Sequence, residues 1–260
     1  MTSHAGKVVE QFGKVADSYL SSSVHSQGAD LETVAGKFSD SAQASVLDLG
    51  CGAGHLSFAV APHVRSVIAY DLSPEMLGVV LQEAQRRNLG NIVTREGRAE
   101  GLPFAGSSFD WVCTRYSAHH WSRVSTAIRE IRRVLKPAGT FVLIDTSAPD
   151  SVLLDTHLQA IELFRDGSHV RNYTQRQWVS MLEQQGFEIR AHDQWKIRID
   201  FKSWVERMRT PTSHVAAIIS LLEKVPEEVR DYFQIAKDGS FYLDSLLVEA
   251  KRAPIALEED

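Results

Sequence analysis

The stretch Val46-Leu-Asp-Leu-Gly-Cys-Gly-Ala-Gly-His55 sets an acid and three glycines at alternate positions: Asp48, Gly50, Gly52 and Gly54. Asp71 closes the next apolar run. Glycines at that spacing let a chain turn sharply after a strand and let a ligand approach the backbone, because no Cβ stands in the way. A carboxylate at the following strand end can accept hydrogen bonds from both hydroxyls of a ribose, so the two features together describe a nucleotide-type site. A dinucleotide fingerprint would place a third glycine where this chain has His55. An acid two residues before the first glycine repels a pyrophosphate and suits a cationic ligand that bears an amino acid. A nicotinamide or flavin site, or a glycine-rich turn that binds nothing, are the alternatives. A second chemistry is offered by His119 and His120 in Ser117-Ala-His-His-Trp121. Imidazole titrates near neutrality and can take a proton from a phenol, an enol or a ring nitrogen. The plain alternative is that such histidines pack or bond backbone.

The elements that must position these residues follow from periodicity. Apolar residues Val8, Phe12, Val15 and Tyr19 have helical spacing over 7–20, and a second helix is expected near 28–38. Strands at 45–49, 66–70, 92–95, 109–114 and 140–146 then alternate with helices at 55–62, 73–89 and 124–135, the last stopped by Lys136-Pro-Ala-Gly139. Such alternation implies a parallel sheet with helices on both faces. After residue 150 helices near 151–165 and 174–185 precede a strand at 187–195, a helical block at 201–236 and a last strand at 241–250.

The acid-plus-three-glycines motif resembles the first motif of the class I S-adenosylmethionine (SAM) methyltransferases. That resemblance implies an α/β Rossmann-like fold with seven strands, six parallel and the seventh antiparallel between strands five and six. Helices on both faces and a helical cap insertion complete it. It implies one domain over 1–251, with 1–40 as an N-terminal helical cap, 201–238 inserted between the last two strands and 252–260 a flexible tail. SAM is then the cofactor and S-adenosylhomocysteine the product. The cofactor would be held by Asp48, Gly50, Cys51, Gly52, Gly54 and the ribose clamp Asp71. Leu72 and Met76 would pack against adenine, and Gly97-Arg-Ala-Glu-Gly-Leu-Pro-Phe104 resembles the family's adenine-contacting turn. In that turn Ala99 and Glu100 are candidate contacts, and Arg98 stands where many relatives carry an acid; Arg98 and Glu100 could equally form a solvated pair. Arg115 and Ser117 would lie near the sulfonium, and Tyr19 would close over the cofactor or serve as a core aromatic.

Beyond the shared motifs, Ser168-His-Val-Arg-Asn-Tyr173 and Arg207-Met-Arg-Thr-Pro211 carry polar clusters. With Tyr116, the residues His169, Arg171, Tyr173, Arg207 and Arg209 are candidate acceptor contacts. Arginines there could grip a carboxylate or phosphate, or pin the cap to the core. These segments also resemble the bacterial YafE-type methyltransferases, relatives of the ubiquinone/menaquinone C-methyltransferases. The likeness implies a small-molecule acceptor, a quinol-like aromatic among the options; a non-catalytic SAM-binding protein is the rival class. His120 and His119 are the candidate catalytic residues.

Bulk properties narrow the partners. A net charge of −5 gives no reason to expect nucleic acid or an anionic membrane. With two cysteines, Cys51 and Cys113, a disulfide framework is not expected, nor is a metal site, since no third ligand accompanies the histidine pair. Neither a signal-peptide pattern nor an apolar run of membrane-spanning length is present, so the expected location is the cytoplasm, with no membrane span. Self-association into a homodimer stays open.

Overall fold

The computed structural model describes residues 3–13 and 28–253. Helices α1 (His4–Gly13) and α2 (Ala29–Gly36) precede strand β1 (Ser45–Leu49), helix α3 (His55–Val60) and strand β2 (Ser66–Asp71). Helix α4 (Pro74–Arg86), strands β3 (Ile92–Glu96) and β4 (Phe109–Arg115), a short 3-10 turn at Ala118–His120 and helix α5 (Val124–Val134) follow. The second half contains β5 (Leu135–Ser147), α6 (Val152–Arg165), α7 (Gln175–Gln184), β6 (Phe187–Ile199), α8 (Phe201–Arg207), α9 (Thr212–Glu223), α10 (Glu227–Phe233) and β7 (Phe241–Arg252).

The seven strands form one sheet in the order β3-β2-β1-β4-β5-β7-β6. Strands β1 to β5 pair in parallel, and β7 runs antiparallel to both β5 and β6. The seventh strand therefore lies between five and six, as expected. Strand β1 is central because Val46, Leu47, Asp48 and Leu49 are all buried, and it touches helices on both faces. Strand order reverses beside β1, which opens a crevice at the carboxyl ends of β1 and β4. Helix α4 starts where the sequence places its signals: Ser73 caps it by accepting from the Met76 N–H at 3.3 Å, with Pro74 in the first position.

Three expected boundaries are corrected. Strand β5 begins at Leu135, not Thr140, because Leu135 pairs with Phe109 and the Pro-Ala-Gly segment forms an irregularity within the strand, with Ala138 left-handed at φ 58°. Strand β6 continues to Ile199 and β7 to Arg252, the two paired along their whole length. As an edge strand, β6 alternates half-buried Trp195 and Ile197 with exposed Gln194, Lys196 and Arg198, one face on the protein and one toward solvent. The helical block between β6 and β7 resolves into α8, α9 and α10, which pack on α6 around Trp204, Ile218 and Phe233 as an apolar cluster of its own.

The expected helix over 7–20 is seen as α1; its remainder, with Tyr19, lies outside the described residues, as does most of the acidic tail.

Candidate active site

Two neighbouring cavities lie above the carboxyl ends of the strands. The first, about 890 Å³ and partly open to solvent, is floored by the loop after β1 and flanked by Asp71 and Leu72 from the end of β2. Gly50, Gly52 and Gly54 all adopt positive φ, at 70°, 51° and 86°. Their constraints differ. A Cβ on Gly50 would lie 1.9 Å from Ser117 Oγ, and one on Gly54 would lie 2.9 Å from both Phe58 and Val80. A Cβ on Gly52 would meet nothing within 4 Å. Gly50 and Gly54 therefore hold the loop against its neighbours, while Gly52 leaves room over the cavity.

The two acids of the motif are oriented differently. Asp71 accepts the Gly52 N–H at 2.8 Å on one oxygen and the Ser73 N–H at 2.9 Å on the other. Burial raises its pKa and these backbone donors oppose that rise. With one N–H on each oxygen, the carboxylate that lines the cavity has lone pairs left for a ligand. Asp48 is 1% exposed and accepts from Ser57 Oγ at 2.6 Å. Burial pushes its pKa up to about 7. Its side chain is thus committed to α3 rather than reaching outward. Helix α1 forms the roof, with Val8 and Phe12 over the cavity.

The second cavity, about 680 Å³, shares Phe12, Tyr116 and His120 with the first and extends under α6 and α8 to Trp204 and Arg207. Tyr116 sits at φ 50°, an uncommon conformation for an aromatic residue, and its hydroxyl meets Ser245 Oγ at 2.8 Å. His120 has Phe12 edge-on at 5.0 Å and bonds the Ser168 carbonyl through Nδ1 at 3.1 Å. Burial, with the adjacent His119, pushes its pKa down to about 4, so the ring is neutral near pH 7. His119 differs: Nδ1 lies 2.5 Å from Asp145 Oδ1. Burial works against the charged ring, but the Asp145, Glu162 and Asp166 carboxylates outweigh it and hold the pKa above its ordinary value.

Against this geometry the comparisons with known proteins are decisive. Residues 47–143 match the family described as methyltransferase domain. The chain is 44% identical over 204 residues to the uncharacterised protein YafE of Escherichia coli, covering 78% of this chain and 99% of that one. It is 36% identical over 243 residues to YcgJ of Bacillus subtilis, an uncharacterised methyltransferase, covering 92% and 96%. The crystal structure of YcgJ superposes with a TM-score of 0.84 at 34% identity, over 87% of this chain and 99% of that one. The chain belongs to the class I SAM-dependent methyltransferases. A demethylmenaquinone methyltransferase of Lactococcus lactis matches more narrowly, 37% identical over 123 residues, 46% of this chain and 48% of that one.

The methyltransferase fold brings most of the expected cofactor residues to one place. Asp48, Gly50, Cys51, Gly52, Asp71, Leu72, Met76, Ala99, Arg115 and Ser117 line the first cavity; Gly54 stands behind it. Arg115 also makes a buried ion pair with Asp30, Nε to Oδ2 at 2.5 Å, which ties α2 to the end of β4.

Other expected contacts are placed elsewhere or take the second of their two readings. Arg98 and Glu100 lie outside this cavity: Glu100 accepts from Ser122 Oγ at 2.9 Å and the Arg123 N–H at 3.3 Å, fastening the turn before α5, with Arg98 3.7 Å away. Of the acceptor candidates, Tyr116 and Arg207 line the second cavity. Arg171 is instead paired with Asp155 at 2.6 Å, and Tyr173 packs edge-on against Trp178. His169 bonds Gln159 behind the cavity wall, and Arg209 takes a left-handed turn after α8. Sequence reasoning missed Asp145, Glu162, Asp166 and Trp204. Asp145 did carry a signal, as a lone acid ending the apolar run Phe141-Val-Leu-Ile144.

Among the described residues no helix is long and apolar enough to cross a membrane. Cys51 and Cys113 are both buried and free.

Proposed function

We propose that this methyltransferase moves a methyl group from SAM, bound in the first cavity, to a small-molecule acceptor bound in the second. The observation that carries the proposal is the shared wall: Phe12, Tyr116 and His120 face both cavities, so cofactor and acceptor meet at one opening. The residues present fit the cofactor. Gly52 leaves space where a side chain would obstruct, and the Asp71 carboxylate, already fixed by two N–H donors, suits a vicinal diol. Leu72, Met76 and Ala99 offer an apolar face for adenine. When bound, SAM supplies an electrophilic methyl group on a sulfonium, a good leaving group. The protein's task is then alignment and exclusion of water, which α1 and the neighbouring helices are placed to perform. His119 and His120 border the acceptor space and are the groups available to accept a proton from the nucleophile.

The acceptor atom is an oxygen, a nitrogen or an activated carbon. The partial match to a demethylmenaquinone methyltransferase favours a quinol-like ring as the second reading. The test is S-adenosylhomocysteine release, followed by mass spectrometry, from SAM and pooled hydroxylated and aminated metabolites. Acceptor-dependent release supports catalysis. Tight SAM binding with no release from any pool would mark a binding protein instead.

A further inference from the structure

Asp145 has no part in the glycine-loop site, yet it is 1% exposed and bonded on every side. It ends the apolar run of β5 and turns its carboxylate onto the 3-10 turn. Oδ2 accepts the backbone N–H of His119 at 3.0 Å, Oδ1 accepts the N–H of Thr146 at 2.8 Å, and Oδ1 also meets His119 Nδ1. The His119 carbonyl is held in turn by the N–H groups of Val170 and Arg171, at 2.9 and 3.1 Å. The ring is thus fixed through Nδ1, and the backbone that carries it through its N–H and carbonyl. A carboxylate accepts and cannot donate, so the Nδ1 site carries the proton and the neutral ring keeps its lone pair on Nε2. Nε2 has no hydrogen-bond partner among the described residues and is not sealed off; the side chain keeps 16% of its surface and lines the second cavity. Tyr116, Ile197, Ile199, Trp204 and Leu243 give the cavity apolar and aromatic faces, between which Thr146, Glu162, Arg165, Asp166, Arg207 and Asp244 also reach its lining.

We propose that the second cavity takes an acceptor with a compact apolar body and an ionisable hydroxyl, phenolic or enolic, and that His119 Nε2, positioned by Asp145, takes its proton. The inference rests on the methyl-transfer reading and deepens it. The acceptor's O–H bond breaks, an N–H bond forms at Nε2, and the oxygen keeps the electron pair. The imidazolium charge is balanced by the Asp145 carboxylate, and the proton later passes to solvent. A neutral amine is nucleophilic before it loses a proton and needs no such base, whereas a hydroxyl becomes a good nucleophile only as its O–H bond breaks. The charged and titratable groups facing His119 are Asp145 from β5, His120 beside it, His169 at 5.7 Å between ring centres, Glu162 and Arg165 from α6, and Asp166 after it. The carboxylates hold His119 above its ordinary pKa, whereas burial and the adjacent His119 push His120 below its own, so of the two His119 is the stronger base.

The test uses 4-nitrocatechol as an ionisation-sensitive probe, mixed with the full chain and S-adenosylhomocysteine at a pH one unit below the probe's solution pKa. Its absorption should show the bound probe as phenolate in the wild type. The bound probe's apparent pKa should lie about one unit or more below that of the free probe, a tenfold or greater shift in the ratio of phenolate to phenol. His119→Gln and Asp145→Asn should lose that shift. Nitrogen-15 imidazole spectra of the wild type should show Nδ1 as the protonated site of neutral His119, and Asp145→Asn should redistribute the tautomers, which a merely structural tie would not require. His119→Gln carries the test if Asp145→Asn does not fold. A probe that stays neutral, ionises equally in His119→Gln or fails to bind at millimolar concentration overturns the inference. Failure of S-adenosylhomocysteine to bind in the same samples would bring down the underlying reading instead.

Discussion

A methyl group added at Gly50 and one added at Gly52 should fail in different ways. At Gly50 the new Cβ collides with the Ser117 side chain, and the φ of 70° disfavours any L residue. Gly50→Ala should therefore cost about 2–4 kcal/mol of stability, from overpacking together with left-handed strain. At Gly52 the φ of 51° carries only the strain, about 1 kcal/mol, because the added atom meets nothing. Gly52→Ala should stay folded and weaken S-adenosylhomocysteine, since its methyl enters the space a ligand would use. Urea denaturation and calorimetric titration of both variants check the contrast. Equal behaviour in the two assays would mean that the glycines do not divide the work between loop packing and ligand space.

At the scale of elements, α1 is the piece whose function is least visible from its own residues. It sits over the first cavity through Val8 and Phe12, and Gln11 reaches the Met208 carbonyl at 2.7 Å, joining the roof to the end of α8. Phe12→Ala removes a half-buried ring that faces both cavities and should weaken S-adenosylhomocysteine by roughly 1–2 kcal/mol, five- to thirtyfold, with little change in melting temperature. Unchanged affinity on titration would mean that α1 does not roof the ligand. The glycine loop, Asp71 and the first five strands were legible in the sequence because each is a local pattern: an apolar run, a glycine turn, a capped helix. The second cavity was not. Its walls come from α1, the 3-10 turn, β5, α6, β6, α8 and β7, and nothing in any one segment tells which neighbours it will meet. Arg98 and Glu100 show the same limit from the other side. Their motif position suggested adenine, but Ser122 and the Arg123 backbone, over twenty residues on, claimed the carboxylate.

Over the whole molecule, buried histidines couple the fold to pH. Burial pushes the His169 pKa down to about 2, with His119 and His120 adding to the effect. A folded-state pKa below the unfolded value gives stability that is complete above about 6.5 and is lost as pH falls toward 2, because the unfolded chain takes up the proton first. The stability advantage of wild type over His169→Gln should therefore shrink between pH 6.5 and 4, by up to about 1.4 kcal/mol per pH unit. Denaturation curves of both proteins at several pH values measure it, and a difference that is constant with pH would refute it. Asp48 works in the opposite sense. Its raised pKa of about 7 favours the folded form as the medium is acidified from 7 toward 3.8, so a comparison of two proteins is more informative than either curve alone.

Everything proposed for this site depends on the cavity at the end of β1 and β2 binding SAM through Asp71. Calorimetric titration of S-adenosylhomocysteine into wild type and Asp71→Ala, each first checked by thermal melting, tests it most directly. The wild type should bind saturably and the variant tenfold or more weakly, the scale of a buried charged hydrogen-bond acceptor removed. Equal affinity in the two proteins, or no binding by a folded wild type, would contradict it.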